Sequence, residues 1–159
     1  MILVSLTNVW VDRNSHKVRH IKNKDMEKYK YPGRNFTVKT GEDVCDVQAR
    51  VQWIGEDLLV AVYGGEIPHI GAVSAAHPRP SLKYPDVTSS TASVLCFSGH
   101  REDELAKKCS QLLAARLNTR VVVTAGMHWD NITDQGIKKI VENTGILTDL
   151  ILKKIIVSS

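Results

Sequence analysis

From Cys45 to Trp53 the chain alternates without a break. Cys45, Val47, Ala49, Val51 and Trp53 fall on one side of an extended backbone, and Asp46, Gln48, Arg50 and Gln52 on the other. A period of two predicts a half-buried strand with a wet outer face. Gly55-Glu56-Asp57 predicts a turn, and Leu58 to Tyr63 is apolar throughout, as in a central strand. Gly64-Gly65 then predicts a hairpin, because paired glycines permit the positive φ of tight turns. The chain returns as a strand of small residues over Ile70 to Ala76. His77-Pro78-Arg79-Pro80-Ser81 is held extended by its prolines, and a turn-rich segment leads to a strand over Thr91 to Ser98.

At Glu102 the period changes. Leu105, Cys109, Leu112, Leu113 and Leu117 form a helical stripe, and Glu102, Asp103 and Glu104 place negative charge where a helix dipole favours it. Asn118 ends this helix. Arg120 to Ala125 predicts a buried strand that breaks at Gly126. A second helix is expected from about Thr133, interrupted at Gly145 and resumed from Leu147 to Val157. The order of elements predicts an α+β fold: a small, mostly antiparallel, sandwich-like sheet with two main C-terminal helices on one side.

Ahead of this, Ile2 to Val11 reads as a strand and Asn14 to Arg34 as a polar loop or loose arm. The predicted organisation is a basic extension over residues 1–34 and one α+β domain over 35–159. Charge sharpens that division. The extension carries eight Lys/Arg against three acids, +5 within a chain total of +4, so the remainder sums to −1. A basic arm suits nucleic acid or an acidic partner, but its aromatics are limited to Trp10, Tyr29 and Tyr31, and nucleic acid is not the expected partner. No apolar run is long enough to span a membrane. MILVSL lacks the basic region and cleavage site of a signal peptide and is expected to be a strand. Cys45, Cys96 and Cys109 lack CxxC spacing and are expected to be buried free thiols in a reducing, cytoplasmic setting.

Candidate chemistry lies in three loops. His69 follows Gly64-Gly65. His100 sits in SGHRED and His128 in AGMHWD, each between a strand and a helix and each preceded by a glycine. If those two strands are parallel neighbours, both histidines emerge at one edge beside helix N-termini, a setting suited to anions. Three readings follow. His69, His100 and His128 hold a divalent metal; or they bind the phosphate of a cofactor whose flat ring stacks on Trp129 or Tyr63; or each is a satisfied loop residue. Glu102 and Asp103 are expected to complement the helix dipole rather than to act as an acid–base pair. Arg79, between two prolines, is a candidate anion contact.

The stretches GGEIPHIGAVSAAHPRPSL, VLCFSGHREDELA and VVVTAGMHWDNIT together resemble the family of the small D subunit of gallate decarboxylase. These are prenylated-flavin chaperones, similar in fold to proteasome assembly chaperone 4. The resemblance runs from about Phe36 to the C-terminus. It implies a homodimeric, non-enzymatic protein that binds prenylated flavin mononucleotide (prenylated FMN) and assists its delivery to a UbiD-type decarboxylase. The cofactor-binding candidates at matching positions are His69, Arg79, His100, Asp103, His128, Trp129 and Asp130, with no catalytic residue. The alternatives are a metal-dependent enzyme using His69, His100 and His128, and an assembly chaperone with no small ligand.

Overall fold

The alternation at Cys45 to Trp53 becomes a strand of one six-stranded open sheet. The structure is a computed structural model that describes residues 9–11, 18–20, 35–41 and 43–157. Val9–Val11 (β1) pairs antiparallel with Val18–His20 (β2) as a separate ribbon. The main sheet comprises Phe36–Lys39 (β3), Val47–Ile54 (β4), Asp57–Gly65 (β5), Ala72–Pro80 (β6), Thr88–Cys96 (β7) and Val121–His128 (β8). Its order is β3-β4-β5-β8-β6-β7. Among the described residues, only the β5–β8 pairing is parallel. The helices are Asp103–Leu117 (α1) and Asp134–Val157 (α2). This is the expected α+β class with a mostly antiparallel sheet.

Register explains the core. Ala49 and Val51 of β4 align with Val62 and Val60 of β5, and these with Ala125 and Val123 of β8, then Ala72 and Ser74 of β6. All are buried on one face. Leu113 and Ala114 of α1 and Leu147 and Ile151 of α2 close over it. The buried hydroxyls of Ser74 and Ser110 satisfy each other at 2.7 Å. The opposite face carries Arg50, Gln52, Val122 and Thr124 and is more open.

Several local expectations are corrected. Gly64 and Gly65 make no hairpin: they belong to β5, and β8 lies between β5 and β6. Their need for glycine is close approach. A Cβ at Gly64 would stand 3.0 Å from the Trp129 ring, and one at Gly65 (φ +77) would overlap the His128 carbonyl. β8 does not break at Gly126 but runs on to His128. Pro78 and Pro80 lie inside β6, past the last β8 pairing at Ala76, where only β7 flanks the strand and a missing N–H is tolerated. α2 passes through Gly145 uninterrupted. Glycine there costs about 1 kcal/mol against alanine, and buried Thr144, Leu147 and Thr148 on either side hold the helix to the core. Val18–His20 is a strand where a loop is expected. The rest of the Ile2–Val11 strand, the Asn14–Arg34 arm and the residue 34 boundary lie outside the described residues.

Cys109 is buried and Cys45 half-buried, but Cys96 is exposed. It ends the edge strand β7, with its thiol bonded to the His100 carbonyl at 3.4 Å. Burial pushes the Cys109 thiol up from 9.0 to about 11, and a bond with Thr148 partly opposes this. The folded state therefore holds the proton more tightly than the unfolded chain. That stabilisation is complete below about pH 9 and disappears as pH rises toward 11. It amounts to up to roughly 3 kcal/mol. Denaturant melts across this range should show an alkaline loss of stability that Cys109→Ala flattens; equal slopes would contradict the assignment. Among the described residues, no helix is long and apolar enough to cross a membrane.

Candidate functional site

Sheet direction decides which loops meet. β6 is antiparallel to both β7 and β8, so β7 and β8 run the same way although β6 separates them. His100, just after β7, and His128, the last residue of β8, therefore leave at one end of the sheet. The expected adjacency of the two strands is replaced by a shared direction. β6 begins at that end, which brings His69 there too.

His69 and His100 meet: Nε2 of His69 lies 3.0 Å from Nδ1 of His100, and the ring centroids are 4.6 Å apart. The third member is Glu102. Its Oε1 lies 3.4 Å from His69 Nε2, and its Oε2 3.6 Å from His100 Nδ1. The carboxylate is 9% exposed as a residue. It accepts hydrogen bonds from the Arg101 N–H at 2.9 Å and the Met127 N–H at 3.4 Å. Glu102 precedes α1 and forms no side-chain cap there. It serves the histidines instead. Its signal in sequence is an acid two residues after His100, which the cluster of acids around it conceals.

Two glycines clear the space. At Gly71 a Cβ would stand 2.6 Å from Glu102 Oε2 and 2.8 Å from His100 Nδ1. At Gly126 a Cβ would overlap the His69 carbonyl. Segment 69–71 lies close along β8, fixed by the Gly71 N–H donating to the Ala125 carbonyl at 2.9 Å. His69 Nδ1 is 2.9 Å from the Ile67 carbonyl. That oxygen only accepts, so a neutral His69 carries its proton on Nδ1 and presents the Nε2 lone pair to the cluster.

His128 is not in this group. Among the described residues, the group of at least three His, Cys, Asp or Glu side chains with donor atoms all within 4.8 Å of one another is His69, His100 and Glu102. The metal set His69, His100 and His128 is corrected accordingly. His128 is exposed and pairs through Nε2 with Asp130 at 3.0 Å. The Asp130 N–H donates to Glu66 at 2.8 Å, and the Glu66 N–H donates to the His128 carbonyl at 2.8 Å. Trp129 is 8% exposed, lies in the core cluster and donates its indole N–H to the Val44 carbonyl at 2.7 Å. Tyr63 is half-buried on the open face, registered beside Gly126. Asp103 opens α1 and is half-buried. Arg79 is not brought to this end. It lies seven residues along β6 from Ala72, about 23 Å at strand rise, and is bonded to Thr91 at 2.7 Å and the Pro80 carbonyl at 2.9 Å.

Comparisons with known proteins agree with this architecture. Residues 41–156 match the family described as "Prenylated flavin chaperone LpdD-like domain". Protein LpdD of Lactiplantibacillus plantarum is 29% identical over 100 residues, covering 61% of this chain and 68% of that protein. A chain from the crystal structure of a chaperone complex for yeast 20S proteasome assembly matches with a TM-score of 0.50 at 10% identity. The match covers 77% of this chain and 96% of the other. At that identity the likeness establishes the fold.

Proposed function

Because the chain belongs to the LpdD-like family of prenylated flavin chaperones, we propose that it binds prenylated FMN and delivers it to a UbiD-type decarboxylase. The match across residues 41–156 carries this reading, since that span contains β4 to β8 of the main sheet, α1, α2 up to its last residue and all three histidine loops. The chemistry of the sheet end supports it. With Nδ1 of His100 engaged by His69, Nε2 is the nitrogen available to a ligand. The backbone N–H groups of the first turn of α1 suit a phosphate, and Nε2 of a neutral His100, an acceptor in this tautomer, suits a hydroxyl or ring N–H of the flavin. Carboxylates repel phosphate and instead suit the N–H edge of a flavin ring, the role proposed for Asp103 and Asp130. Tyr63, rather than the buried Trp129, is the aromatic residue offered to the ring. Arg79 is left out of the proposed site. The role requires no nucleophile and no general base.

The exposed Leu95 and Val122 share the open sheet face with half-buried Val73, and this supports a homodimer. A single experiment reads both points: gel filtration of the purified protein with prenylated FMN, with in-line absorbance and light scattering. Flavin should co-elute with a particle of about twice 17.7 kDa. Silence toward both prenylated FMN and FMN at on the order of 50 µM would overturn the flavin reading, and a 17.7 kDa particle the dimer. His128→Ala should weaken flavin retention several-fold while the melting temperature barely moves, because the residue is exposed. A large loss of stability would assign His128 to packing instead.

A further inference from the structure

We propose that His69, His100 and Glu102 form a binding site for a divalent transition-metal ion of the zinc or iron(II) type. The donor atoms already have the spacing of such a site. His69 Nε2 and His100 Nδ1 stand 3.0 Å apart, Glu102 Oε1 lies 3.4 Å from the first and Oε2 3.6 Å from the second, and one donor atom from each residue falls within 4.8 Å of the other two. Ligands bound at about 2.1 Å stand roughly 3.4 Å apart around a tetrahedral ion and about 3.0 Å apart as neighbours around an octahedral one. An ion can therefore enter with little movement of the three side chains.

The chemistry of the set agrees with its geometry. Two imidazoles and one carboxylate make up both the His2Glu zinc sites of hydrolases and the facial triad of non-haem iron. Metal-binding histidines usually donate their second ring N–H to a carbonyl, which fixes the ring and its tautomer. His69 does this to Ile67. Ligating carboxylates are themselves held by hydrogen bonds, and Glu102 is held by Arg101 and Met127. Without an ion, a neutral pair must place one proton between His69 Nε2 and His100 Nδ1. When both nitrogens become ligands, His100 gives up that proton from Nδ1 and carries one on Nε2 instead, exchanged through solvent, so both imidazoles stay neutral.

Backbone placement is a second, independent observation. Gly71 and Gly126 sit where any side chain would collide with the cluster or with the His69 carbonyl. Side-chain exposure rises from 12% at Glu102 through 25% at His69 to 33% at His100. The cluster thus has a buried, anionic floor and a more accessible rim. Three protein donors leave at least one position for an oxygen ligand, as in sites that bind water or substrate.

The test uses the full chain made without an affinity tag, stripped with chelator and kept free of flavin, so its outcome does not depend on the flavin reading. Co2+, a coloured stand-in, should bind at one equivalent with a visible ligand-field band, and Zn2+ should displace it. His69→Ala and His100→Ala should each weaken binding at least about tenfold, and His128→Ala should leave it unchanged. No saturable binding of either ion by on the order of 100 µM would overturn the proposal. So would binding unaltered in either cluster variant, or lost in His128→Ala. X-ray absorption of the zinc-loaded wild type tests the same point without a substitution. A shell of two imidazoles with oxygen supports the site, and a shell lacking imidazole overturns it.

Discussion

Gly126→Ala is expected to destabilise the fold by about 3 kcal/mol and to take apart the His69–His100 pair in the same step. The added methyl would overlap the carbonyl of His69 and stand 2.8 Å from the Gly71 nitrogen. These are backbone atoms, so no rotamer change relieves the collision. β8 is flanked by β5 and β6, so it cannot shift without disturbing both. Such a loss lowers the melting temperature of a chain this size by roughly 6–12 °C. Displacement of His69 should also abolish metal and flavin retention. Gly145→Ala is the control: nothing lies within 4 Å of a Cβ there, and the change should stabilise α2 by up to about 1 kcal/mol. An unchanged melting curve for Gly126→Ala would mean that segment 69–71 can slide off β8, and that the cluster is not held as described.

Trp129→Ala is expected to cost about 3–5 kcal/mol, as for other large aromatic residues removed from a core. The ring fills the space above Gly64 and Gly65 and ties the end of β8 to the Val44 carbonyl. Trp129→Phe should lose mainly that hydrogen bond, about 1 kcal/mol. Chemical denaturation of the two variants separates packing from ligand stacking. A stacking platform would lose flavin affinity in Trp129→Ala with stability intact, and that result would return Trp129 to the binding site.

Much of the fold is legible from period alone. The alternation at Cys45 to Trp53, the apolar block at Leu58 to Tyr63 and the stripe of α1 each follow from burial of one face or two, and each is found in place. What eludes the sequence is long-range partnership. A glycine required by a turn and a glycine required by a ring packed on it look the same. At Gly64 the deciding neighbour is Trp129, far along the chain. Glu102 is obscured for a similar reason. An acid at a helix start has a sufficient local explanation, and its association with His69 exists only once β6 is laid beside β8. Trp129 misleads in the opposite sense: its neighbours His128 and Asp130 are exposed, while its own ring turns into the core.

The position of β8 has a consequence for how the chain acquires its structure. The strand that joins β3-β4-β5 to β6-β7 is the last of the sheet to be synthesised. Until Val121–His128 leaves the ribosome, the inner edges of β5 and β6 have no partner, and both are rich in Val and Ala. Unpaired edges of this composition invite pairing with other chains. Closure through contacts so distant in sequence is slow relative to local folding. The nascent protein therefore passes through an interval in which it is itself prone to aggregate, and substitutions that delay entry of β8 should lower the soluble yield more than they lower the stability of the molecules that do fold.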